Sequence, residues 1–180
     1  PVYPPTPTQT APRGLPPLPD GPAGPADPVA PSLVSRLNNA HRRVWLTAGY
    51  FGPDEPLLTA LELSARRGVD VRMLVAGKSD HPILVNIGRS YYTALLRHGV
   101  KIFEYETGIN HAKVALVDDE WLMVGSANLD VRSMRLNFEL NALVRDPATA
   151  AKLERVLRAD VAASRKLDDA QFAQRWRVLV

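Results

Sequence analysis

The predicted fold class rests on VDVRMLVAGKSDHPILVNIGRSYYTALLRHGVKIFEYE, residues 69–106. This stretch begins with a strand rich in β-branched and aliphatic residues, VDVRMLVAG, and ends with another, VKIFEYE. Between them we predict a loop, KSDHPILVNIG, and a helix, SYYTALLRHG, which Gly99 is well placed to end. A strand, a helix and a second strand in this order are typical of a crossover between parallel strands.

The same alternation extends in both directions along the chain. A strand from Val44, VWLTAGYF, follows a helix capped by Ser32 and precedes a helix that ends at Gly68. Further on, HAKVALVDD and EWLMVGS read as two strands joined by an acidic turn, NFELNALVRD as another strand, and the next segment as a helix with Asp146 as its cap. We therefore predict an α/β/α sandwich with a mixed, largely parallel central sheet flanked by helices.

Proline divides the chain into two parts. The sequence has 180 residues and 16 prolines, of which twelve fall in residues 1–31. Proline lacks the backbone N–H and breaks helices and central strands, so we expect residues 1–31 to be a disordered or linker segment. Residues 32–180 then form a single catalytic domain, since a chain of this length has no room for two.

Composition excludes several classes of protein. Apolar residues make up 46% and charged residues 23%, as in ordinary globular domains, and the net charge is +3. The absence of cysteine excludes disulfides, thiolate catalysis and cysteine-based metal sites. No apolar run reaches 18 residues, so no membrane span is predicted. Because the sequence does not begin with Met and shows no signal peptide, we expect a mature product or a fragment of a longer chain.

The chemistry is concentrated in one spaced pattern, H-x-K-x4-D-x6-G-S-x-N, formed by His111, Lys113, Asp118, Gly125, Ser126 and Asn128. His111 and Lys113 are two residues apart on a predicted strand, so their side chains point to one face. A histidine near neutral pKa can attack phosphorus or protonate a leaving oxygen. The lysine supplies positive charge to phosphate oxygens, and Ser126 and Asn128 add neutral donors. The pattern predicts phosphoryl chemistry.

Glu139 extends this site. In NFELNALV, Phe138 and Leu140 share one face of the strand with Ala142 and Val144, whereas Glu139 lies on a polar face with two asparagines. We expect Glu139 to accept a hydrogen bond from the second ring nitrogen of His111. A cationic side-chain cradle can carry out this chemistry unaided, and no cluster of His, Asp or Glu has metal-ligand spacing, so we predict neither a cofactor nor a metal.

The pattern resembles the HKD motif of the phospholipase D superfamily. The similarity extends over about residues 33–167, through YFGPDEPLL, RGVDVRMLVAGKSDHP, SYYTALLRHGVKIFEY and NLDVRSMRLNFEL, and is greatest to the C-terminal half of bacterial cardiolipin synthases. This resemblance implies a transphosphatidylation, in which one phosphatidylglycerol donates its phosphatidyl group to a histidine, releasing glycerol, and a second accepts it, giving cardiolipin.

The resemblance also implies residue roles. His111 is a nucleophile or a general acid, and both roles stay open, since in two-motif relatives the C-terminal histidine often acts as the acid. Lys113 and Asn128 bind phosphate, and Ser126 binds phosphate or orients the site. Asp118 belongs to the motif's catalytic set, in a mainly structural role, and Glu139 matches the carboxylate that supports the histidine.

The chain departs from the family in carrying one motif where two are usual. It is therefore expected either to be a fragment that pairs with a second HKD half in its parent chain, which we favour, or to form a homodimer. The implied substrate, phosphatidylglycerol, places the protein at a membrane surface, on the cytoplasmic side of the bacterial inner membrane. The rim of the site is assigned to Asp80 and His81, in a loop after a predicted strand.

Three alternatives remain beside this function. A homodimeric HKD nuclease is one, but nucleic acid is not expected as a partner, because a small charge surplus does not indicate a strongly basic cleft. A phospholipase D that transfers the phosphatidyl group to water is another, since the acceptor alcohol cannot be identified from sequence. The third is an inactive half-domain that only binds phosphate.

Overall fold

The computed structural model describes residues 18–20, 29–169 and 172. The helices are α1 (Val29–Asn38), α2 (Glu55–Arg66), α3 (Pro82–Arg97), α4 (Val131–Arg135) and α5 (Pro147–Ala162). The strands are β1 (Leu18–Asp20), β2 (Arg43–Ala48), β3 (Phe51–Gly52), β4 (Asp70–Ala76), β5 (Lys101–Tyr105), β6 (Val114–Val117), β7 (Trp121–Gly125), β8 (Leu129–Asp130), β9 (Glu139–Arg145) and β10 (Ser164–Lys166).

Eight of these strands form one mixed sheet in the order β1-β9-β7-β6-β2-β4-β5-β10. The pairs β2–β4 and β4–β5 are parallel, and the pairs from β1 to β2 and from β5 to β10 are antiparallel. Following these pairings across the sheet, β1, β7, β2, β4 and β5 point in one direction. Strands β3 and β8 form a separate parallel pair. The predicted mixed α/β architecture is confirmed, with direct parallel pairing at β2, β4 and β5.

Helices cover both faces of the sheet, as predicted. The larger core packs α1, α2, α3 and α4 against one face, through fully buried side chains such as Leu33, Leu61 and Leu95. The smaller core places α5 on the opposite face, where Ala150 and Leu157 contact a cluster that includes Trp45. The predicted cap of α5 is present, since Asp146 accepts a hydrogen bond from the Thr149 N–H at 2.7 Å.

Three predicted element boundaries are wrong. Helix α1 begins at Val29, with Pro31 in its first turn, where a missing N–H costs nothing. Helix α3 begins at Pro82 for the same reason, so most of the predicted loop KSDHPILVNIG is helical. Strand β6 begins only at Val114, which leaves His111 and Lys113 in the preceding non-strand segment.

The proline-rich segment is described only in part. Residues 18–20 form β1, which pairs antiparallel with β9 at the edge of the sheet, with Pro19 opposite Leu140. An edge strand tolerates proline because one of its sides needs no hydrogen bonds. Residues 29–31 belong to α1, so a division at residue 31 falls inside a helix. The other residues of the predicted linker lie outside the described part.

Candidate active site

The site lies at one end of the sheet, where the central strands β2 and β7 end and β6 begins. Strand β2 ends there at Ala48, and β6, antiparallel to it, begins there at Val114. Strand β7 returns to the same end at Gly125, which pairs with Asn141 near the start of β9. This alternation of direction brings residues from distant parts of the sequence to one edge.

The His111 ring packs directly on Gly49. A Cβ atom at position 49 would lie 2.8 Å from Cδ2 of His111 and 3.3 Å from Oδ1 of Asn128, so only glycine leaves the ring its space. The Tyr50 ring meets the His111 ring edge-on, with centroids 5.9 Å apart. His111 is exposed, and neither of its ring nitrogens has a hydrogen-bond partner within the described part of the chain. Both nitrogens are available for chemistry.

Lys113 places a buried cation beneath the histidine. The residue is 8% exposed, and its Nζ donates a hydrogen bond to the backbone carbonyl of His111 at 2.6 Å. Burial lowers the pKa of Lys113 below its usual value, and the charges of Glu139 and Asp130 act against this shift. A phosphate that approached His111 would supply a third anion and favour the charged form of the ammonium.

The backbone of Tyr50, two residues after the end of β2, orients Asn128. Its Oδ1 accepts a hydrogen bond from the Tyr50 N–H at 3.2 Å, which fixes the amide plane beside Gly49 and His111. Its Nδ2 has no partner among the residues the structure describes. The amide thus lies near the histidine, and the phosphate-binding role of Asn128 stays a prediction.

Ser126 and Glu139 form a hydrogen-bonded group with Asn137. The Ser126 hydroxyl donates to Oε2 of Glu139 and accepts from the Leu140 N–H, while Nδ2 of Asn137 donates to Oε1 of Glu139 at 3.2 Å. The expected hydrogen bond from His111 to Glu139 is not formed; the donors that reach the two carboxylate oxygens are Ser126 and Asn137. The charge of Glu139 also acts to raise the pKa of Lys113, against the effect of burial.

Asp118 is not part of this assembly, although the motif groups it with the catalytic residues. It lies at the far end of β6, where its carboxylate accepts from the backbone N–H groups of His41, Arg42 and Arg43. The shortest of these bonds, to Arg42, is 2.8 Å. Asp118 has a φ of 51°, a left-handed conformation that Asp tolerates better than most residues. Its role is to fasten the β6–β7 turn to the start of β2.

The predicted rim residues, Asp80 and His81, reach the site through Tyr50. The Tyr50 hydroxyl donates to Oδ1 of Asp80 at 3.2 Å, and the ring centroids of Tyr50 and His81 are 6.3 Å apart. A hydrogen bond from the Ser79 hydroxyl is the main cause that lowers the pKa of Asp80, with smaller contributions from His81 and Tyr50. A rim role for Asp80 and His81 stays a prediction, with these contacts to Tyr50 as its structural setting.

A cavity of about 490 Å³ opens beside Tyr50, whose ring contacts His111, and is also lined by His81. It shares Tyr50 and Asn128 with the site and extends toward Ile87, Arg132 and Asn137. Within residues 29–169, no group of three or more His, Asp or Glu side chains is arranged to hold a metal ion. None of the described helices is long and apolar enough to cross a membrane.

Two contributors were missed by sequence reasoning. Gly49 carries no signal of its own, since its importance depends on a ring 62 positions later in the chain. Asn137 was visible as part of the polar face of NFELN, but its link between Glu139 and Arg132 required the structure.

The fold and this arrangement of side chains are those of a phospholipase D-like domain. Comparison with known proteins agrees. The family model described as "Cardiolipin synthase, PLD-like domain" matches residues 33–161, so the chain belongs to that family.

Curated relatives carry the same name. The chain is 47% identical to cardiolipin synthase A of Pseudomonas aeruginosa over 131 residues, which are 73% of this chain and 27% of the relative. It is 43% identical to cardiolipin synthase of Geobacillus kaustophilus over 139 residues, 77% of this chain and 28% of the relative. The chain therefore spans little more than a quarter of these relatives.

Solved structures share the fold. The phospholipase D family member Nuc of Salmonella typhimurium superposes with a TM-score of 0.70 at 19% identity, covering 84% of this chain and 98% of Nuc. Phosphatidylserine synthase of Haemophilus influenzae gives a TM-score of 0.67 at 17% identity, covering 84% of this chain and 39% of that chain.

Proposed function

We propose that this chain supplies one half of a phosphatidyl-transfer site that makes cardiolipin from two molecules of phosphatidylglycerol. The observation that carries the proposal is the pairing of His111, whose ring nitrogens have no partner among the described residues, with the buried cation of Lys113, whose Nζ lies 2.6 Å from the histidine's own carbonyl. This pairing joins a nucleophile or acid to a charge that binds phosphate. The names of the relatives supply the lipid class.

The site residues divide the work of binding and reaction. Lys113 and the Nδ2 of Asn128 bind the non-bridging oxygens of the donor phosphodiester, and Ser126, held by Glu139, orients the phosphate. Fixed donors of this kind stabilise charge that develops on the phosphoryl oxygens without reorganising during the reaction. Gly49 sets the position of the imidazole.

The reaction needs two imidazoles, and His111 is one of them. In the first step, one histidine nitrogen attacks phosphorus, a P–N bond forms, and the P–O bond to glycerol breaks. The second histidine gives its proton to the departing glycerol oxygen. In the second step, the acceptor hydroxyl returns a proton to that second histidine and its oxygen attacks phosphorus, breaking the P–N bond. A second HKD half, from the parent chain or from another copy of this one, provides the other histidine.

The lipid substrate also defines a location for the proposed activity. Phosphatidylglycerol is presented at a bilayer, so this half-site works as a peripheral domain at the membrane surface, on the cytoplasmic side of the bacterial inner membrane.

The proposal is tested with vesicles that contain phosphatidylglycerol. Cardiolipin and released glycerol are measured for the wild type and for His111→Asn, and for His41→Asn as a matched control, because the exposed His41 side chain makes no contact with the site. With the second HKD half present, from another copy or from the parent chain, we expect product from the wild type and the control and none from His111→Asn. Turnover that survives in His111→Asn, or cleavage of DNA without turnover of lipid, contradicts the proposal.

A mixing experiment addresses the second half. If two copies share one site, activity at a fixed total concentration varies with the square of the wild-type fraction when His111→Asn is added. If each chain works alone, the dependence is linear. The mass of the protein in solution, measured on the same mixtures, identifies the species responsible.

A further inference from the structure

The cavity that Tyr50 separates from His111 has an apolar side and a charged side. The apolar side is formed by residues of β3, α3 and α4, namely Phe51, Leu84, Ile87 and Val131. The charged side carries Arg132, with Asn137 next to it. A volume of about 490 Å³ is within the range of sites that bind small organic ligands. The lining matches an amphipathic anion better than it matches water or a small neutral alcohol.

Arg132 is the cation that this cavity offers to a ligand. Its Nε donates to Oδ1 of Asn137 at 3.3 Å, while its two terminal nitrogens have no partner within the described chain. Its neighbour Arg135 differs, because it forms an ion pair with Asp54 at 2.6 Å. The carboxylate of Asp130 also lines the cavity, but its Oδ1 is engaged as the cap of α4, accepting from the Ser133 N–H at 2.7 Å. The Arg132 guanidinium keeps the planar fork that binds phosphate through two hydrogen bonds.

A chain of hydrogen bonds joins this cation to the phosphate site. Arg132 donates to Asn137, Asn137 donates to Glu139, and Glu139 accepts from Ser126. An anion at Arg132 and an anion at Ser126 and Lys113 would therefore occupy the two ends of one connected group. Two anion sites so close together are not needed to hydrolyse a single phosphodiester.

We propose that the cavity binds the acceptor lipid and that Arg132 holds the acceptor's own phosphodiester. This inference rests on the proposed phosphatidyl transfer. The acceptor phosphatidylglycerol carries its reacting hydroxyl on a three-carbon group beyond its phosphate. When Arg132 holds that phosphate, the hydroxyl is directed past Tyr50 and Asn128, which border both the cavity and the site, toward the phosphorus at His111. Water and ethanol lack the phosphate and gain nothing from this contact, so Arg132 selects the acceptor.

The test separates acceptor selection from the chemistry that all acceptors share. Vesicles of phosphatidylglycerol are incubated with the protein in the presence of ethanol, and cardiolipin and phosphatidylethanol are measured together. For Arg132→Gln we expect cardiolipin formation to fall roughly 10- to 100-fold, the loss typical of hydrogen bonds to a charged group, with phosphatidylethanol formation little changed. Arg132→Lys keeps the charge without the fork and is expected to lie in between.

Arg155→Gln is the matched control for electrostatic attraction to the anionic vesicle. Arg155 is exposed on α5 and does not line the cavity, and its replacement by glutamine removes the same unit of charge as Arg132→Gln does. We expect it to form both products as the wild type does. An equal fall of both products in Arg132→Gln, or no fall in either, overturns the inference.

A binding measurement keeps the inference independent of turnover. Glycerophosphoglycerol, the soluble headgroup of the lipid, is titrated into protein with labelled isoleucine methyl groups, and the Ile87 signal is followed by NMR. We expect a saturable shift in the wild type that is lost in Arg132→Gln. Absence of the shift in the wild type overturns the inference, whereas a wild type that binds the headgroup but transfers nothing with the second HKD half present overturns the proposed function alone.

Discussion

Replacing Gly49 by alanine should damage catalysis without damaging the fold. The added Cβ would lie 2.8 Å from the His111 ring, and ordinary contact begins at 3.4 Å, so the ring must move by about 0.6 Å. A misplacement of about 1 Å at a reacting group can cost on the order of 10²-fold in rate. We therefore expect turnover of phosphatidylglycerol to fall by roughly 10-fold or more in Gly49→Ala, measured in the vesicle assay with urea unfolding of the same samples.

Gly68→Ala provides the opposite result and serves as its control. Gly68 has a φ of 89° and open space around the position of a Cβ, so alanine there meets backbone strain and no steric contact. That strain costs about 1 kcal/mol, which lowers the Tm of a chain of this size by about 2–4 °C. Activity per folded molecule should stay at the wild-type level. Full turnover in Gly49→Ala would refute the argument that glycine is needed to seat the histidine.

Two further predictions concern the motif. Removing the Asp118 carboxylate with Asp118→Ala should lower the free energy of unfolding by roughly 2–4 kcal/mol, the value of one or two charge-assisted hydrogen bonds, and Asp118→Asn should lower it less. Turnover per folded molecule should not change in either variant, and a selective loss of turnover would place Asp118 in the chemistry. Burial lowers the pKa of Lys113 below the usual 10.5, so inorganic phosphate should bind while the ammonium is protonated and be released as the pH rises through that pKa. Binding is followed by ³¹P NMR. Lys113→Arg should bind phosphate up to a higher pH, and equal pH profiles for the two proteins would contradict the assignment.

Spacing in the motif made the central part of the site predictable. Two short antiparallel strands joined by a tight turn necessarily return Gly125 and Ser126 to the level of Lys113, and Gly125 N–H does bond to the Lys113 carbonyl at 3.2 Å. Hairpin geometry therefore accounts for the return of Gly125, the residue before Ser126, to Lys113. This argument does not require the strand to begin at His111, and β6 in fact begins at Val114.

The partners of Glu139 could not be predicted in the same way. Alternation along β9 showed which face Glu139 occupies but not which donor reaches it first, and Ser126 and Asn137 take both oxygens. Alternation also placed Phe138 and Leu140 on the face that holds Val144, yet they are 78% and 60% exposed. The reason is coverage: the apolar cluster beneath α5 includes Val144 but not these two residues. Coverage by a distant helix is not encoded in the periodicity of a strand.

Strand β1 has a practical consequence for anyone who expresses this domain. A boundary chosen by composition at residue 31 would delete the strand that pairs with β9 and would cut into helix α1. The strand whose outer edge would then be open is β9, which holds Glu139, and exposed strand edges recruit other chains into aggregates. A shortened protein that precipitates or has lost activity would then reveal an unprotected sheet edge, and its loss of function would say nothing about the chemistry of His111.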